Sequence, residues 1–289
     1  MPTTVSEPQI MRRHDDLPNP PKHLPATRLR IAETFVSRQG EGRLTGQTSF
    51  FIRTSGCNLR CWFCDTPYAS WHPEGDTVAI DQLVAAAVAA DCGHVVLTGG
   101  EPLLPRGVTE LVAQLRAASL HVTIETAGTV LRDCPADLMS ISPKLAGSGP
   151  RTIRRGDPVG DPREPADAQD TAVSALSRLA QRHEAARWRP DVIRGLIDLA
   201  VEHQLKFVVD SPADFADVLA AIEAICRTDE SRAGSGHGPD PAAVWIMPQA
   251  IDTNALDEKS RWLRPLCDRH GFRYCDRMQI RWYGDRRGT

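Results

Sequence analysis

The strongest constraint on the fold of this chain is an alternation of short apolar runs with longer segments of helical periodicity. Residues 95–97 and 205–209 have the composition of buried strands, and helical patterns separate such runs along most of the chain. An alternation of this kind predicts βαβ crossovers and a mainly parallel sheet. We therefore expect an α/β fold, and the position of a cysteine-rich loop at residues 57–64, near the N-terminus, favours a partial, open barrel around one cavity.

The predicted elements begin near Leu29 and continue to the end of the chain. Strands are predicted at 29–35, 49–53, 95–97, 121–125, 138–142, 205–209, 244–247 and about 273–282. Helices are predicted at 81–90, 109–118, 190–203, 212–226 and 255–270, and Gly271 is a good C-cap for the last one. The Pro-rich residues 1–28 are predicted to be a disordered tail, so that 29–289 form one domain. Within it, about 147–188 break the alternation and predict an inserted surface element, with a helix over 169–187.

The unusual motifs of the chain each follow directly after a predicted strand. They are the cysteine loop at 57–64, the turn at 98–101, Glu125-Thr126, the segment 142–144 and the segment 247–249. In open parallel sheets the ligand site lies at the carboxyl ends of the strands. The placement of the motifs therefore predicts one shared site.

The cysteine loop carries Cys57, Cys61 and Cys64 in a Cys-x3-Cys-x2-Cys spacing. Three thiolates within such a short segment can hold three corners of a [4Fe–4S] cube and leave the fourth iron without a protein ligand. An open iron is a binding site, and the chemistry most associated with it is the reductive cleavage of S-adenosylmethionine.

Zinc is the alternative for these cysteines. A structural zinc ion needs four closed ligands, and the nearest candidate for a fourth ligand is His72. The chain has no second Cys-x2-Cys pair, and the other five cysteines are scattered singly. The spacing therefore favours the cluster over zinc, and the absence of a secretion signal argues against disulfides.

Polar residues near the same strand ends are further candidates for ligand contacts. Glu101 follows a Gly-Gly turn and can accept a hydrogen bond from a ligand ammonium group. Thr66, beside Asp65, can serve Mg²⁺, although capping of a helix N-terminus is the favoured interpretation of this pair from the sequence alone.

Four more side chains flank the predicted strands. Gln39 and Glu41 together can read the donor and acceptor edge of a heterocycle. Arg53 can clamp a carboxylate bidentately, and Lys144 can hold a carboxylate or be solvated. Taken singly, each of them is more often a surface residue.

Composition excludes several classes of partner. The formal net charge of the 289 residues is −3, which gives no global basic signature of nucleic-acid binding. No apolar run approaches the ~20 residues that span a bilayer, and the N-terminus lacks the apolar core of a signal peptide. We therefore expect a cytoplasmic protein with neither nucleic acid nor membrane as a partner.

The cysteine loop and the glycine turn resemble those of the radical S-adenosylmethionine superfamily. More closely, the chain resembles the 7-carboxy-7-deazaguanine synthase (QueE) family of 7-deazapurine and queuosine biosynthesis. The resemblance covers about residues 29–285, and its motifs are Gln39-Gly40-Glu41-Gly42, Phe51-Ile52-Arg53, the cysteine loop with Asp65-Thr66, Thr98-Gly99-Gly100-Glu101-Pro102, Glu125-Thr126-Ala127-Gly128-Thr129, Ser142-Pro143-Lys144, Leu205-Lys206-Phe207-Val208, Met247-Pro248-Gln249 and Trp282-Tyr283-Gly284.

The resemblance implies a lyase with a β6/α3-type partial barrel, usually a homodimer that receives electrons from a flavodoxin-type or other donor. Such an enzyme converts 6-carboxy-5,6,7,8-tetrahydropterin to 7-carboxy-7-deazaguanine with loss of ammonia. An adenosyl radical takes a hydrogen from the pterin C6, the ring contracts, and S-adenosylmethionine is regenerated.

The resemblance also implies roles for individual residues. The cluster would be held by Cys57, Cys61 and Cys64, and Mg²⁺ by Thr66. Substrate would contact Gln39, Gly40, Glu41, Arg53 and Thr98, and S-adenosylmethionine would be surrounded by Phe63, Cys64, Asp65, Gly100, Glu101, Ser142, Lys144 and Gln249.

Three departures from the family pattern stand out. Gln279 occupies the position of an expected histidine, Ala127 that of an expected asparagine, and the insertion is longer than a minimal member needs. Two other functions share the cysteine spacing: a glycyl-radical-enzyme activase, which acts on a protein partner, and a non-catalytic cluster or zinc module.

Overall fold

The computed structural model describes residues 27–151, 169–230 and 239–289, with the side chains of 169–175 and 228–230 excepted. The predicted disordered tail lies outside the described residues up to residue 26, and so does the part of the insertion from 152 to 168. The division into a tail and one domain therefore stays a prediction.

The described residues form one mixed sheet with helices between its strands. The strands are β1 (Arg28–Arg38), β2 (Thr48–Thr54), β3 (Asp76–Ala79), β4 (His94–Gly99), β5 (His121–Thr126), β6 (Leu138–Ile141), β7 (Glu202–Val209), β8 (Val244–Pro248) and β9 (Arg273–Tyr274). The helices are α1 (Pro67–Ser70), α2 (Ile80–Ala89), α3 (Val108–Ala117), α4 (Gln169–Arg187), α5 (Pro190–Leu199), α6 (Asp214–Glu230), α7 (Thr253–His270) and α8 (Met278–Tyr283).

The strand order is β3-β1-β2-β4-β5-β6-β7-β8-β9, and the sheet does not close on itself. β1 pairs antiparallel with β2 and β3, whereas every pairing from β2 to β9 is parallel. This arrangement confirms the predicted α/β fold with an open, mainly parallel barrel.

The two faces of the parallel strands differ sharply in polarity. In β7, Leu205, Phe207 and Val209 are buried in the large core that the sheet shares with its helices. The alternate residues Lys206 and Val208 line a cavity on the opposite face. Because successive side chains of a strand point to opposite faces, one face of the sheet packs and the other surrounds the site.

The same division runs through the neighbouring strands. Their core residues are Phe50 and Ile52 in β2, Val95 and Leu97 in β4, Val122 and Ile124 in β5, and Val244 and Ile246 in β8. Their cavity residues are Phe51, Arg53, Thr98, Glu125, Ser140 and Met247. The sheet therefore delivers one polar or adaptable side chain from each strand to the same space.

The C-terminal end of the chain differs from the prediction. The strand expected over about 273–282 ends after Tyr274, and α8 follows. The amide of Cys275 makes a last hydrogen bond to Ile246 O, after which the amide of Met278 donates to Gly40 O. The chain thus leaves the edge of the sheet, and its last residues line the cavity.

Two smaller differences concern element boundaries. The helix predicted over 190–203 ends at Leu199, because the amides of Val201 and Glu202 pair with the chain before β6. The short edge strand β3 was not predicted, and it pairs with the start of β1.

Within the described residues, no helix is both long and apolar enough to cross a membrane.

A glycine at the β1–β3 edge provides a test of the packing. Gly75 has a φ of +109°, and a Cβ added there would overlap the carbonyl of Ile31. Gly46 has a comparable φ of +94° but open space around it. Both alanine variants incur backbone strain of about 1–2 kcal/mol, whereas only Gly75→Ala also overpacks, by about 1–3 kcal/mol.

We therefore expect Gly75→Ala to lower the free energy of urea unfolding more than Gly46→Ala does. Equal losses in the two variants would contradict the close approach of Gly75 to β1.

Candidate active site

A cavity of about 300 Å³ lies at the carboxyl ends of the parallel strands. The cysteine loop, the segment after β1 and the C-terminal segment complete its walls. It is lined by these predicted site residues: Gln39, Gly40, Glu41, Arg53, Cys57, Cys61, Phe63, Cys64, Asp65, Thr66, Thr98, Gly100, Ser142, Lys144 and Gln249. The structure thus brings these predicted residues together. Glu101, which was also predicted, lies behind the cavity wall. The roles of the individual residues toward ligands stay predictions.

The cysteine loop places three sulfur atoms beside this cavity. The amide of Leu59 donates to Cys57 Sγ at 3.3 Å, and the hydroxyl of Ser70 lies 3.0 Å from Cys64 Sγ. Burial raises the pKa values of the Cys57 and Cys61 thiols to about 12. Thiols this strongly desolvated become thiolates when a metal supplies the compensating charge.

The donor set fits a [4Fe–4S] cluster. Leu59, Phe63 and Ala127 pack around the three cysteines and give them apolar surroundings. Among the described residues, no three His, Cys, Asp or Glu side chains converge as ligands of one metal ion, as a zinc site requires. A cube instead takes thiolates at separate corners, and hydrogen bonds to sulfur tune its potential.

The glycine turn after β4 lies directly against the cysteine loop. A Cβ on Gly100 would overlap the carbonyl oxygens of Gly56 and Ala69, so only glycine allows this approach. The next residue, Glu101, is fully buried. Its carboxylate accepts hydrogen bonds from the amide of Leu103 at 3.1 Å, the amide of Ala127 at 2.9 Å and the hydroxyl of Thr126 at 2.7 Å.

Glu101 therefore holds together the loops that follow β4 and β5. Burial raises its pKa despite these hydrogen bonds. A direct contact with a ligand ammonium group stays a prediction, because this carboxylate lies behind the cavity wall.

Helix capping, the favoured interpretation of Asp65 and Thr66, is wrong. Thr66 stands at the N-cap position of α1, but its side chain makes no capping hydrogen bond. Its hydroxyl lies 3.8 Å from Cys64 Sγ, at the cavity wall. The carboxylate of Asp65 instead accepts a hydrogen bond from Arg277 Nη2. The Thr66 hydroxyl therefore borders the cavity, and its role toward a ligand stays a prediction.

Glu41 is the centre of a buried charge network. Its carboxylate accepts hydrogen bonds from Lys206 Nζ, from Gln279 Nε2 at 2.6 Å and from Arg277 Nε at 3.2 Å. Burial opposes ionisation, but the Lys206 and Arg277 charges outweigh it and lower the pKa of Glu41 to about 2. Burial opposes the charge of Lys206 too, but the carboxylates of Glu41 and Glu125 outweigh it and raise the pKa of Lys206. These groups stay charged at neutral pH.

Glu125 extends this network across the sheet. Its Oε1 accepts a hydrogen bond from Gln39 Nε2 at 3.1 Å and lies 3.9 Å from Lys206 Nζ. The Gln39 Oε1 in turn accepts from the amide of Glu41 at 3.2 Å. The side chain of Glu125 is 23% exposed to the cavity, so it can accept further hydrogen bonds from a bound heterocycle.

Gln279 explains a feature of the segment after β1. Its Nε2 is committed to Glu41, since a carboxylate can only accept. Its Oε1 then faces Gly40, where an added Cβ would overlap both this oxygen and the Gln279 backbone. The glycine is therefore required by the close passage of α8.

Arg53 is oriented by a carboxylate that the sequence analysis did not single out. Its Nε donates to Glu33 Oε1 at 2.7 Å, and Tyr68 Oη donates to the same oxygen at 2.7 Å. The guanidinium group lines the cavity and is held by one edge. Among the described residues its Nη groups have no hydrogen-bond partner, and their role toward a substrate carboxylate stays a prediction.

Lys144 and Gln249 lie on the wall formed by the later strands. Lys144 Nζ donates to both the carbonyl and the hydroxyl of Ser142 at 2.8 Å, so it is held close to the end of β6. Gln249 is fixed through its amide, which donates to Val209 O at 2.8 Å. Both side chains border the cavity beside the cysteine loop.

The sequence analysis missed Lys206, Arg277, Glu33 and Tyr68 as members of the site. Lys206 carried a signal, because a lysine in an otherwise apolar strand needs a buried partner. The predicted surface character of the insertion is also wrong for the inner face of α4. His183 on that face is 1% exposed and packs behind the cysteine loop.

Comparisons with known proteins agree with this geometry. Residues 51–147 match the Radical SAM superfamily. A 7-carboxy-7-deazaguanine synthase of Rhodopirellula baltica is 49% identical over 90% of this chain and 89% of its own length. This chain belongs to the 7-carboxy-7-deazaguanine synthase family. A second synthase of that name, from Halobacterium salinarum, is 38% identical over 89% of this chain and 91% of its own length.

A solved structure shares the fold of this synthase family member. QueE from Escherichia coli superposes with a TM-score of 0.54 at 20% identity, covering 87% of this chain and 94% of that one. As a radical SAM synthase, the protein is an enzyme that uses a [4Fe–4S] cluster and S-adenosylmethionine. The alternatives of a glycyl-radical-enzyme activase and of a non-catalytic module are not favoured.

The charge network of this synthase leads to a stability prediction. Replacing Lys206 by Met leaves the carboxylates of Glu41 and Glu125 without their shared cation, and breaking a buried ion pair costs about 3–5 kcal/mol. We expect a loss of that size in the free energy of urea unfolding, partly recovered by a second substitution, Glu41→Gln. The control is Arg43→Met, which breaks a half-exposed pair with Glu202 and costs about 1 kcal/mol or less. Similar losses in Lys206→Met and Arg43→Met would refute the network.

Proposed function

We propose that this enzyme converts 6-carboxy-5,6,7,8-tetrahydropterin to 7-carboxy-7-deazaguanine with loss of ammonia, in 7-deazapurine or queuosine biosynthesis. The observation that carries the proposal is one cavity in which three cluster cysteines meet a set of fixed charges. The synthase names of the relatives over nearly the whole chain support the same reaction.

When bound, the reduced cluster supplies the electron that cleaves S-adenosylmethionine. The residues of this chain bind and orient S-adenosylmethionine and the pterin beside the cluster. Lys144, Ser142 and Gln249 border the cavity next to the cysteines and fit S-adenosylmethionine. The turn at Gly100 adds backbone groups that a ligand can approach closely.

The opposite part of the cavity fits the pterin. Glu41 is an ionised acceptor, and Glu125 is a partly exposed acceptor that also binds Gln39. Together these groups suit the N–H groups of an aminopyrimidinone ring. Arg53, oriented by Glu33, fits the substrate carboxylate through its Nη groups. Thr98, buried at the end of β4, lies between these groups and the glycine turn.

Mg²⁺ is the finer part of this proposal. The hydroxyl of Thr66 borders the cavity without capping α1, which leaves an oxygen of the kind that Mg²⁺ prefers. An ion held there needs further oxygens, which a substrate carboxylate can provide. The ion would then fix the orientation of the carboxylate relative to the cluster.

We propose further that the enzyme works as a homodimer in the cytoplasm, reduced by a flavodoxin-type or other one-electron donor. The support for the dimer and the donor is the family resemblance. A reducing compartment suits an oxygen-sensitive cluster. Arg151 stacks on Trp62 of the cysteine loop, 3.8 Å from the guanidinium carbon to the ring centre, and is paired with Asp210 at 4.0 Å.

The decisive test is turnover by the reconstituted protein under anaerobic conditions with S-adenosylmethionine, a reductant and carboxytetrahydropterin. We expect 7-carboxy-7-deazaguanine and ammonia in equal amounts. An intact cluster that cleaves S-adenosylmethionine but forms no deazaguanine would refute the reaction while leaving the radical chemistry in place.

Arg53→Lys tests the recognition of the substrate carboxylate. Lysine cannot form the planar two-point contact, so we expect kcat/KM for the pterin to fall about 10- to 100-fold, the equivalent of one charged hydrogen bond. Arg28→Lys, an exposed change on the outer part of β1, is the matched control and leaves turnover unchanged. An unaltered kcat/KM in Arg53→Lys would remove Arg53 from substrate recognition.

Thr66→Val tests the magnesium site with little change in shape. Loss of one oxygen ligand raises the Mg²⁺ concentration for half-maximal turnover about tenfold. Thr66→Ser keeps the hydroxyl and the normal Mg²⁺ requirement. Titration of chelator-treated enzyme with Mg²⁺ provides the measurement, and identical curves for the valine variant and the parent would exclude Thr66 as a ligand.

A further inference from the structure

His183 is buried on a helix whose neighbouring positions are exposed. The ring is 1% exposed, whereas Gln181, Arg182 and Glu184 on the same turn face solvent. This helix, α4, belongs to the insertion. A buried polar ring on a mostly solvated helix needs hydrogen-bond partners from another part of the chain.

Its partners are the cysteine loop and the turn after β6. The amide of Arg60, between Cys57 and Cys61, donates to His183 Nδ1 at 3.1 Å. His183 Nε2 lies 2.9 Å from Ser148 Oγ, and that hydroxyl donates to Leu145 O at 2.6 Å. Since the hydroxyl proton is used, Nε2 carries the proton and Nδ1 is the acceptor.

The neutral form of the ring is the form this arrangement requires. The pKa of His183 is lowered to about 4, chiefly by burial and next by the nearby positive charge of Arg187. The carboxylate of Glu184 partly opposes this shift. The imidazole is therefore neutral at neutral pH. Its Nδ1 is a permanent acceptor for the Arg60 amide.

Other contacts join the same segments. The amide of Trp62 donates to Ser148 O at 3.2 Å, and its indole N–H donates to Gly147 O at 3.0 Å. Arg187 Nη1 donates to Lys144 O at 3.1 Å. Ala186 packs against the apolar residues around the cysteines. The cysteine loop therefore has the cavity on one side and α4, with the turn after β6, on the other.

We propose that His183 is a positioning residue for the iron–sulfur cluster. Its Nδ1 fixes the middle of the cysteine loop, and the fixed loop limits the access of water to the cluster and sets its reduction potential. The inference rests on the cluster at Cys57, Cys61 and Cys64 and does not depend on the pterin reaction.

The physical basis is the amide of Arg60. Without His183 this partly buried N–H loses its acceptor, so the loop between two cluster ligands relaxes to find another partner or water. Groups one shell away from a metal commonly control the orientation of its ligands, and solvent exposure is one of the factors that set cluster potentials.

The test compares His183→Phe with His183→Asn in the full-length, anaerobically reconstituted protein. Phenylalanine keeps the ring volume without an acceptor. Asparagine places an amide oxygen near the position of Nδ1 and restores the acceptor. Gln181→Ala, on the exposed face of α4, is the matched control.

Two readouts require no pterin: the rate at which the visible absorbance of the cluster is lost in air, and the midpoint potential from a redox titration followed by EPR. For His183→Phe we expect loss about fivefold faster or more, and a higher midpoint potential. His183→Asn should return both values toward those of the parent, and Gln181→Ala should match the parent.

Unchanged loss rate and potential in His183→Phe would overturn the proposal. Equal defects in the Phe and Asn variants would also overturn it, because ring packing and not the Nδ1 acceptor would then support the loop. If the variants change the rate of cluster loss and the midpoint potential as expected but the parent forms no deazaguanine, the result counts against the proposed reaction alone.

Discussion

The alternation of side chains along the parallel strands is the constraint on which the rest of this structure depends. In β7, Leu205 and Phe207 must be apolar because helices cover that face, whereas Lys206 between them faces the cavity. The same residue-by-residue division recurs in β2, β4, β5 and β8. A one-residue shift in register would place charges in the core and apolar groups in the site. Stability of the fold and composition of the site are therefore set by the same pairing.

Charges that enter this cavity lose their hydration, and the network around Glu41 compensates them. Lys206 and Arg277 hold Glu41 ionised, and Arg277 also binds Asp65 beside the last cluster cysteine. Four distant parts of the chain, namely the segment after β1, the end of the cysteine loop, β7 and the C-terminal segment, thus share one set of ion pairs. Such a network adds little to net stability compared with apolar packing, but it fixes the positions of its members before any ligand arrives.

Much of this could be predicted from the sequence because it depends on local pattern. The α/β fold, the open barrel and the clustering of motifs follow from periodicity and from the position of each motif after a strand. Arg277 could not be predicted as a site residue, because nothing near it in the sequence indicates that the chain leaves the sheet after Tyr274 and turns back over the cavity. The role of α4 was hidden for a similar reason: its composition is that of a solvated helix, and one buried histidine carries the contact with the cysteine loop.

The departure at Gln279 shows how a changed residue can preserve an arrangement. Where the family pattern leads one to expect a histidine, Gln279 presents Nε2 to Glu41, and an imidazole N–H is a donor of the same kind. The amide oxygen left over lies against Gly40, whose lack of a Cβ makes the contact sterically possible. Gly40 and Gln279 therefore pack as one unit, which provides both the donor to Glu41 and the close passage of α8 beside the segment after β1. On this argument the glutamine replaces the donor function of a histidine at this position, and it does not replace any capacity to carry a proton between two nitrogens.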